Sequence, residues 1–156
     1  MSPDCTHGAV GYFHRSCSYN RRSMMLRRRR PVPPALREAF GGFRRTAERV
    51  EEAKAALLLG VPSGRAPRLP LAEALAGFEN GLGEAAGLMP AWRRPEASEP
   101  WEACSCALAE AGRRAARLRL EGSPTGYEEL APALGELLDP LDAFDAAAGW
   151  FRRNGA

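Results

Sequence analysis

An all-α, antiparallel up-down-up-down four-helix bundle behind a disordered basic N-terminal leader is the fold this sequence predicts. Three observations predict it. Between residues 35 and 153, apolar side chains recur on alternating three- and four-residue steps in four separate stretches. Gly and Pro punctuate the gaps between them, and no β-rich alternating run competes. The connections are about 10, 6 and 4 residues long, and over such short spans four stripes bury their faces only if successive helices run antiparallel. At 156 residues and 45% apolar content, the chain is the size of one ordinary domain plus a tail. The division falls between a leader and linker, residues 1–34, and the bundle, residues 35–156.

Helix A, about 35–59, carries Leu36, Phe40, Phe43, Ala47, Val50 and Leu57 on its seam, with Lys54 taking one seam position beside Ala53. Gly60 is expected to end it in a left-handed cap, with Pro62 preventing continuation. Helix B, about 70–92, opens at Pro70 and places Leu71, Leu75, Phe78, Leu82, Ala85, Met89 and Trp92 on its seam; Pro90 bends or ends its last turn. Gly77, Gly81, Gly83 and Gly87 each cost roughly 1 kcal/mol against Ala in a helix interior, which makes B the weakest helix in isolation. Their spacing would also admit another backbone at close range.

Helix C, about 99–121, follows Ser98 and sets Trp101, Cys104, Leu108, Ala111, Ala115 and Leu118 inward, with Arg113, Arg114, Arg117 and Arg119 outside. Gly122 and Pro124 close it. Thr125 and Glu128 form a capping-box pattern at the start of helix D, about 126–153. Its seam runs Tyr127, Leu130, Leu134, Leu137, Leu141, Phe144, Ala148 and Phe151; Leu134, Leu137, Leu141 and Phe144 are expected to be nearly fully buried. Pro132 and Pro140 should each remove a ladder bond and kink this helix.

Charge is divided unevenly along the chain. Residues 1–34 hold seven Arg and a single acid, Asp4, for +6, which leaves −3 on the remainder of a chain whose total is +3. A basic leader on a mildly acidic body points to an address, a membrane surface or an acidic partner. No stretch has the 18 or so consecutive apolar residues that cross a bilayer, and no secretory h-region opens the chain. The expectation is an intracellular, most simply cytoplasmic, protein with its cysteines reduced; nucleus and mitochondrion are alternative addresses.

Catalytic and metal chemistry find little support. Cys5, His7, His14 and Cys17 cluster in the leader, but a C-x-H pair chelates poorly and no second C-x-x-C accompanies it. Cys104 and Cys106 lie about 200° apart around a helix and cannot clasp one ion from a shared face. Both histidines are in the leader, which removes the commonest general base from the bundle. The acid pairs Glu51/Glu52, Glu128/Glu129 and Asp139/Asp142 lack the E-x-x-H partners of a di-iron bundle. No phosphate-binding glycine loop is present. The sequence therefore predicts neither enzyme activity nor a cofactor, and gives no reason to expect nucleic-acid binding.

Two surface features bear on partners. Arg28-x-x-Pro31-x-x-Pro34, together with Arg29 and Arg30, has the pattern of a polyproline ligand for an SH3-type domain; the same arginines suit weak contact with anionic lipid or a targeting signal. Trp92, Arg93, Arg94, Trp150, Arg152 and Arg153 fall at one pole of the predicted bundle, and aromatic plus Arg is hot-spot composition. The first reading is a non-enzymatic adaptor or assembly subunit acting through protein-protein contact, with homo-oligomerisation open. The Pro-interrupted helices, above all Leu137-Leu138-Asp139-Pro140-Leu141, resemble those of membrane-curvature (BAR-type) modules. That resemblance implies a peripheral membrane role in endosomal trafficking, although helix D is acidic where such modules present a basic concave face. An imported bundle whose Arg-rich leader is cleaved is the remaining alternative.

Overall fold

The computed structural model describes residues 31–62, 64, 66–122 and 127–156. Among these the chain is helical and contains no strand: α1 Pro34–Leu58, α2 Leu71–Leu88, a 3-10 turn Met89–Trp92, a second at Pro95–Ala97, α3 Ser98–Glu121, α4 Tyr127–Leu138, a third 3-10 turn Asp139–Leu141, and α5 Asp142–Arg153. With α4 and α5 forming one interrupted rod, this is the four-helix bundle that the periodicity predicts. Cross-helix neighbours run in opposite senses. Against α1, Gly42 meets Trp92 and Ala53 meets Gly81. Between α2 and α3, Met89 pairs with Trp101 and Glu79 with Arg119. From α3 to the fourth rod, Cys104 reaches Ala143 and Arg114 reaches Glu136.

The stripe of α1 is wider than one seam. Leu36, Phe43, Val50 and Leu57 recur every seven residues, and both the set three residues on (Ala39, Thr46, Ala53) and the set four residues on (Phe40, Ala47, Lys54) satisfy helical spacing. The expected seam uses the second set. In the structure the first is buried, and the second is half-buried. Small residues win the deep position because α2 and the 3-10 turn after it come close there: a Cβ on Gly42 would lie 2.6 Å from Trp92 Cβ, and one on Gly81 2.6 Å from Ala53 Cβ.

Gly60 is also corrected. It is not a left-handed cap: positive φ occurs at Gly64, Gly122 and Gly155, while α1 ends through Leu59 at φ −66°, ψ −23° with tightened bonds from Leu59, Gly60 and Val61. Gly60 is buried because a Cβ there would sit 2.6 Å from Ala74 Cβ. Gly122, expected to close α3, does follow its last residue and has positive φ, +97°.

Pro70 caps α2 from outside rather than beginning it, and the α-helix ends before Pro90, with Met89–Trp92 tightening to 3-10. Ser98, expected to precede this helix, is the first residue of α3. Helix D divides at Pro140 into α4 and α5, whereas α4 runs on through Pro132. The 3-10 turn shifts the helical phase of α5, so Ala147, not Ala148, is buried beside Phe144 and Phe151. Leu137, Leu141 and Phe144 are buried as expected, but Leu134 is half-buried. The Thr125 capping-box expectation falls outside the described residues.

Each proline interruption leaves a carbonyl that α3 satisfies. Pro140 has no N–H to offer Glu136 four residues earlier, and the Arg114 guanidinium donates to that carbonyl at 2.6 Å. Arg93 N–H turns to Pro90 O, and the Trp101 indole donates instead to the Met89 carbonyl at 2.8 Å.

The glycines of α2 divide by surroundings: Gly81 is against Ala53, while Gly83 and Gly87 have nothing within 4 Å of a Cβ. Gly83→Ala should therefore raise stability by up to about 1 kcal/mol. Gly81→Ala should lower it, because backbone at Ala53 blocks the methyl. Chemical denaturation of the two variants checks the contrast in sign.

Candidate functional site

The pole singled out by the sequence is built from the start of α1, the α2–α3 connection, the first turns of α3 and the end of α5. Val32 packs half-buried onto it, and its Cγ2 lies 3.2 Å from where a Cβ of Gly155 would be. Pro31 is exposed, Pro33 is extended at φ −53°, ψ 137°, and Pro34 is already the first residue of α1. Arg28, Arg29 and Arg30, and the Cys5/His7/His14/Cys17 cluster, lie outside the described residues.

Trp92 does not belong to the surface. Its side chain is 0% exposed and contacts Phe43 at 5.5 Å and Phe151 at 6.1 Å between ring centroids. Its indole N–H donates to Thr46 Oγ1 at 3.1 Å, and the Thr46 hydroxyl donates to the Gly42 carbonyl at 3.1 Å. The pairing with Trp150 in one surface patch is thus corrected: Trp92 is the centre of the core at this end. Thr46 is the one buried polar side chain among the described residues, and the hydroxyl is fully used as acceptor and donor. Sequence reasoning missed this pair, although a Thr seven residues from both Ala39 and Ala53 on an otherwise apolar stripe was the available signal.

The other residues remain at the surface. Trp150 is half-buried, edge-on to Phe151 at 5.2 Å. It borders a shallow recess of about 140 Å³ between α3 and α5, lined by Glu99, Pro100, Ala103, Ala143, Ala146, Ala147 and Arg153. Arg152 and Arg153 fold their guanidinia back over Gly149, to 3.9 and 3.2 Å from its would-be Cβ. On the other side of the first turn of α3 is a second recess, about 320 Å³, lined by Arg93, Arg94, Pro95, Ser98, Trp101 and Glu102. The Arg93 guanidinium stacks 4.8 Å above the Trp101 ring, and Arg94 pairs with Glu38 at 3.7 Å. Trp101, which the sequence placed on the seam of helix C, is half-buried and forms a wall of this site. The structure thus replaces Trp92 by Trp101 as the second tryptophan of the pole.

Chemistry at this end is limited by what the residues offer. Among the described residues no three His, Cys, Asp or Glu converge as metal ligands, and no helix is long and apolar enough to cross a membrane. Cys104 is buried against α5, 3.8 Å from the Ala143 carbonyl, and desolvation pushes its thiol up to about 12; Cys106 is exposed. A thiol needs its thiolate to react. At about pH 8, a maleimide should therefore label Cys106 in the native protein and Cys104 only after unfolding, a difference that fragment-ion mapping of the shared peptide resolves.

Elsewhere on α3, hydrogen bonds from Arg113 and Arg114 to the Glu110 carboxylate hold its pKa below the usual value, and Arg114 also spans to α4. A carboxyl lowered in the folded state stabilises above its unfolded pKa, and that contribution is lost as pH falls through the folded value. Glu110→Gln should accordingly flatten the loss of melting temperature on acidification below about pH 4, as a pH series of thermal melts would show. Glu110 is surface-exposed, so the effect is small.

Compared with known protein families, with curated proteins and with solved structures, the chain matches none.

Proposed function

We propose that this chain is a non-enzymatic adaptor or assembly subunit that works by protein-protein contact, docking through the pole around the first turn of α3. The observation that carries this reading is the pair of half-buried tryptophans, Trp101 and Trp150, bordering shallow recesses on opposite sides of that turn, each with arginine beside it. Rings that already rest on the core lose little side-chain freedom when covered, and tryptophan with arginine is the composition that dominates binding energy at interfaces. The floor between α3 and α5 is alanine, which allows a partner's side chains to reach the helix backbones.

Placing a photo-crosslinking amino acid at Ala146, in the Trp150 recess, should yield adducts of discrete mass in cells, and the same group at Glu128 on α4 should not. Trp150→Ala should remove the adducts while leaving helicity and melting temperature nearly unchanged. If Trp150→Ala melts the bundle, the residue belongs to the core and the pole is not the docking site.

A further inference from the structure

The chain enters α1 through Pro31-Val32-Pro33-Pro34, and three of these four residues have no backbone N–H. Val32 is therefore the one residue of the segment that could donate to a helix or a sheet. A residue that precedes a proline is also held out of the helical region, which extends both Val32 and Pro33. The structure agrees at Pro33, whose φ −53° and ψ 137° fall in the polyproline region. Pro34 begins α1, but a proline has the same φ in a polyproline segment and in a first helical turn. Its ring therefore stays in line with the residues before it.

A polyproline helix repeats every three residues. Pro31 and Pro34 fall on one edge, Pro33 on a second and Val32 on the third. It is the third edge that faces the bundle: Val32 is half-buried against the core, with its Cγ2 3.2 Å from the would-be Cβ of Gly155. Gly155, at φ +84°, has no side chain to displace it. Pro31, Pro33 and Pro34 are all exposed. One edge is thus anchored by the fold, and the two proline edges are presented to solvent.

Segments of this shape are read by aromatic-lined grooves that take prolines three residues apart, and a preformed helix loses little chain entropy on docking. Charge narrows the class of reader. Arg28 precedes Pro31 by the same three residues, in a run of four arginines. A guanidinium at that spacing suits a groove with a carboxylate beside it, the combination that SH3-type domains offer.

We infer that Pro31, Pro33 and Pro34, with Arg28 ahead of them, form a docking site for an SH3-type domain, which reads the proline edges while Val32 keeps its place on the bundle. The site uses neither recess beside α3, so it stands or falls apart from the contact proposed there.

Passed over an array of purified SH3, WW and EVH1 domains, the full chain should be retained by SH3 domains. Isothermal titration of a retained pair should show Pro31→Ala and Pro34→Ala each weakening it about tenfold. Arg28→Glu should weaken it as well, most at low salt. Because Pro31 and Pro34 are exposed, helicity and melting temperature should stay nearly unchanged in their variants. Val32→Ala, on the edge turned away from the partner, should leave the affinity nearly unchanged. Retention by no SH3 domain overturns the inference. So does retention that survives Pro31→Ala and Pro34→Ala together, which assigns the contact to the arginines alone. Retention by WW or EVH1 domains only overturns the SH3 assignment, and loss of binding on Val32→Ala overturns the arrangement of the three edges.

Discussion

The bundle depends on one contact: the meeting of Phe43, Trp92 and Phe151. The three rings come from α1, from the 3-10 turn that ends the second helical rod, and from the last turns of α5, with centroids 5.0 to 6.1 Å apart. Phe40 and Phe144 extend the cluster to either side. Offset and edge-on rings at these separations gain beyond the area they bury. The cluster also joins α1 to α5, whose backbones are less intimately packed than those of α1 and α2. Burying an indole requires a partner for its N–H, and the Thr46 hydroxyl supplies one while passing its own proton to the Gly42 carbonyl. Gly42 has a second role in the same contact, since a side chain there would occupy the position of Trp92 Cβ.

α3 supplies the hydrogen-bond donors that the interrupted helices lack. Prolines at 90 and 140 interrupt the second and fourth rods, and each interruption exposes a carbonyl at a helix end. Trp101 and Arg114, both on α3, answer them. The ring of Trp101 then supports Arg93, and the guanidinium of Arg114 is held in place by Glu110. A residue that caps a neighbouring helix and also walls a surface recess links the integrity of the bundle to the shape of that surface. The pole proposed as the docking site is thereby held in shape by Trp101, a group that the fold needs anyway. At the pole, half-buried tryptophans and arginines stand on ordered helix ends, which suits a compact, directional contact with a different protein.

By itself, the sequence determined the number of helical rods, their order and most of their core, because those come from the period of the apolar residues and from where Gly and Pro interrupt it. Leu75, Phe78, Leu82, Leu137, Leu141 and Phe151 were legible because no neighbouring residue offered a competing stripe. On α1 two stripes were equally periodic, and only the approach of α2 decided that Ala39, Thr46 and Ala53 go inward while Phe40 and Ala47 remain at the edge. Likewise, Gly60 reads as a handedness cap until Ala74 is seen against it. Trp92 reads both as the last seam residue of helix B and as a surface anchor, until Phe43 and Phe151 are seen to enclose it. The candidate site was therefore half legible: its arginines and Trp150 by their place at a helix end, Trp101 only as a seam residue of helix C. Periodicity specifies which face of a helix is apolar, but the depth of each residue on that face depends on how near the neighbouring backbone comes, and that distance exists only in the packed structure.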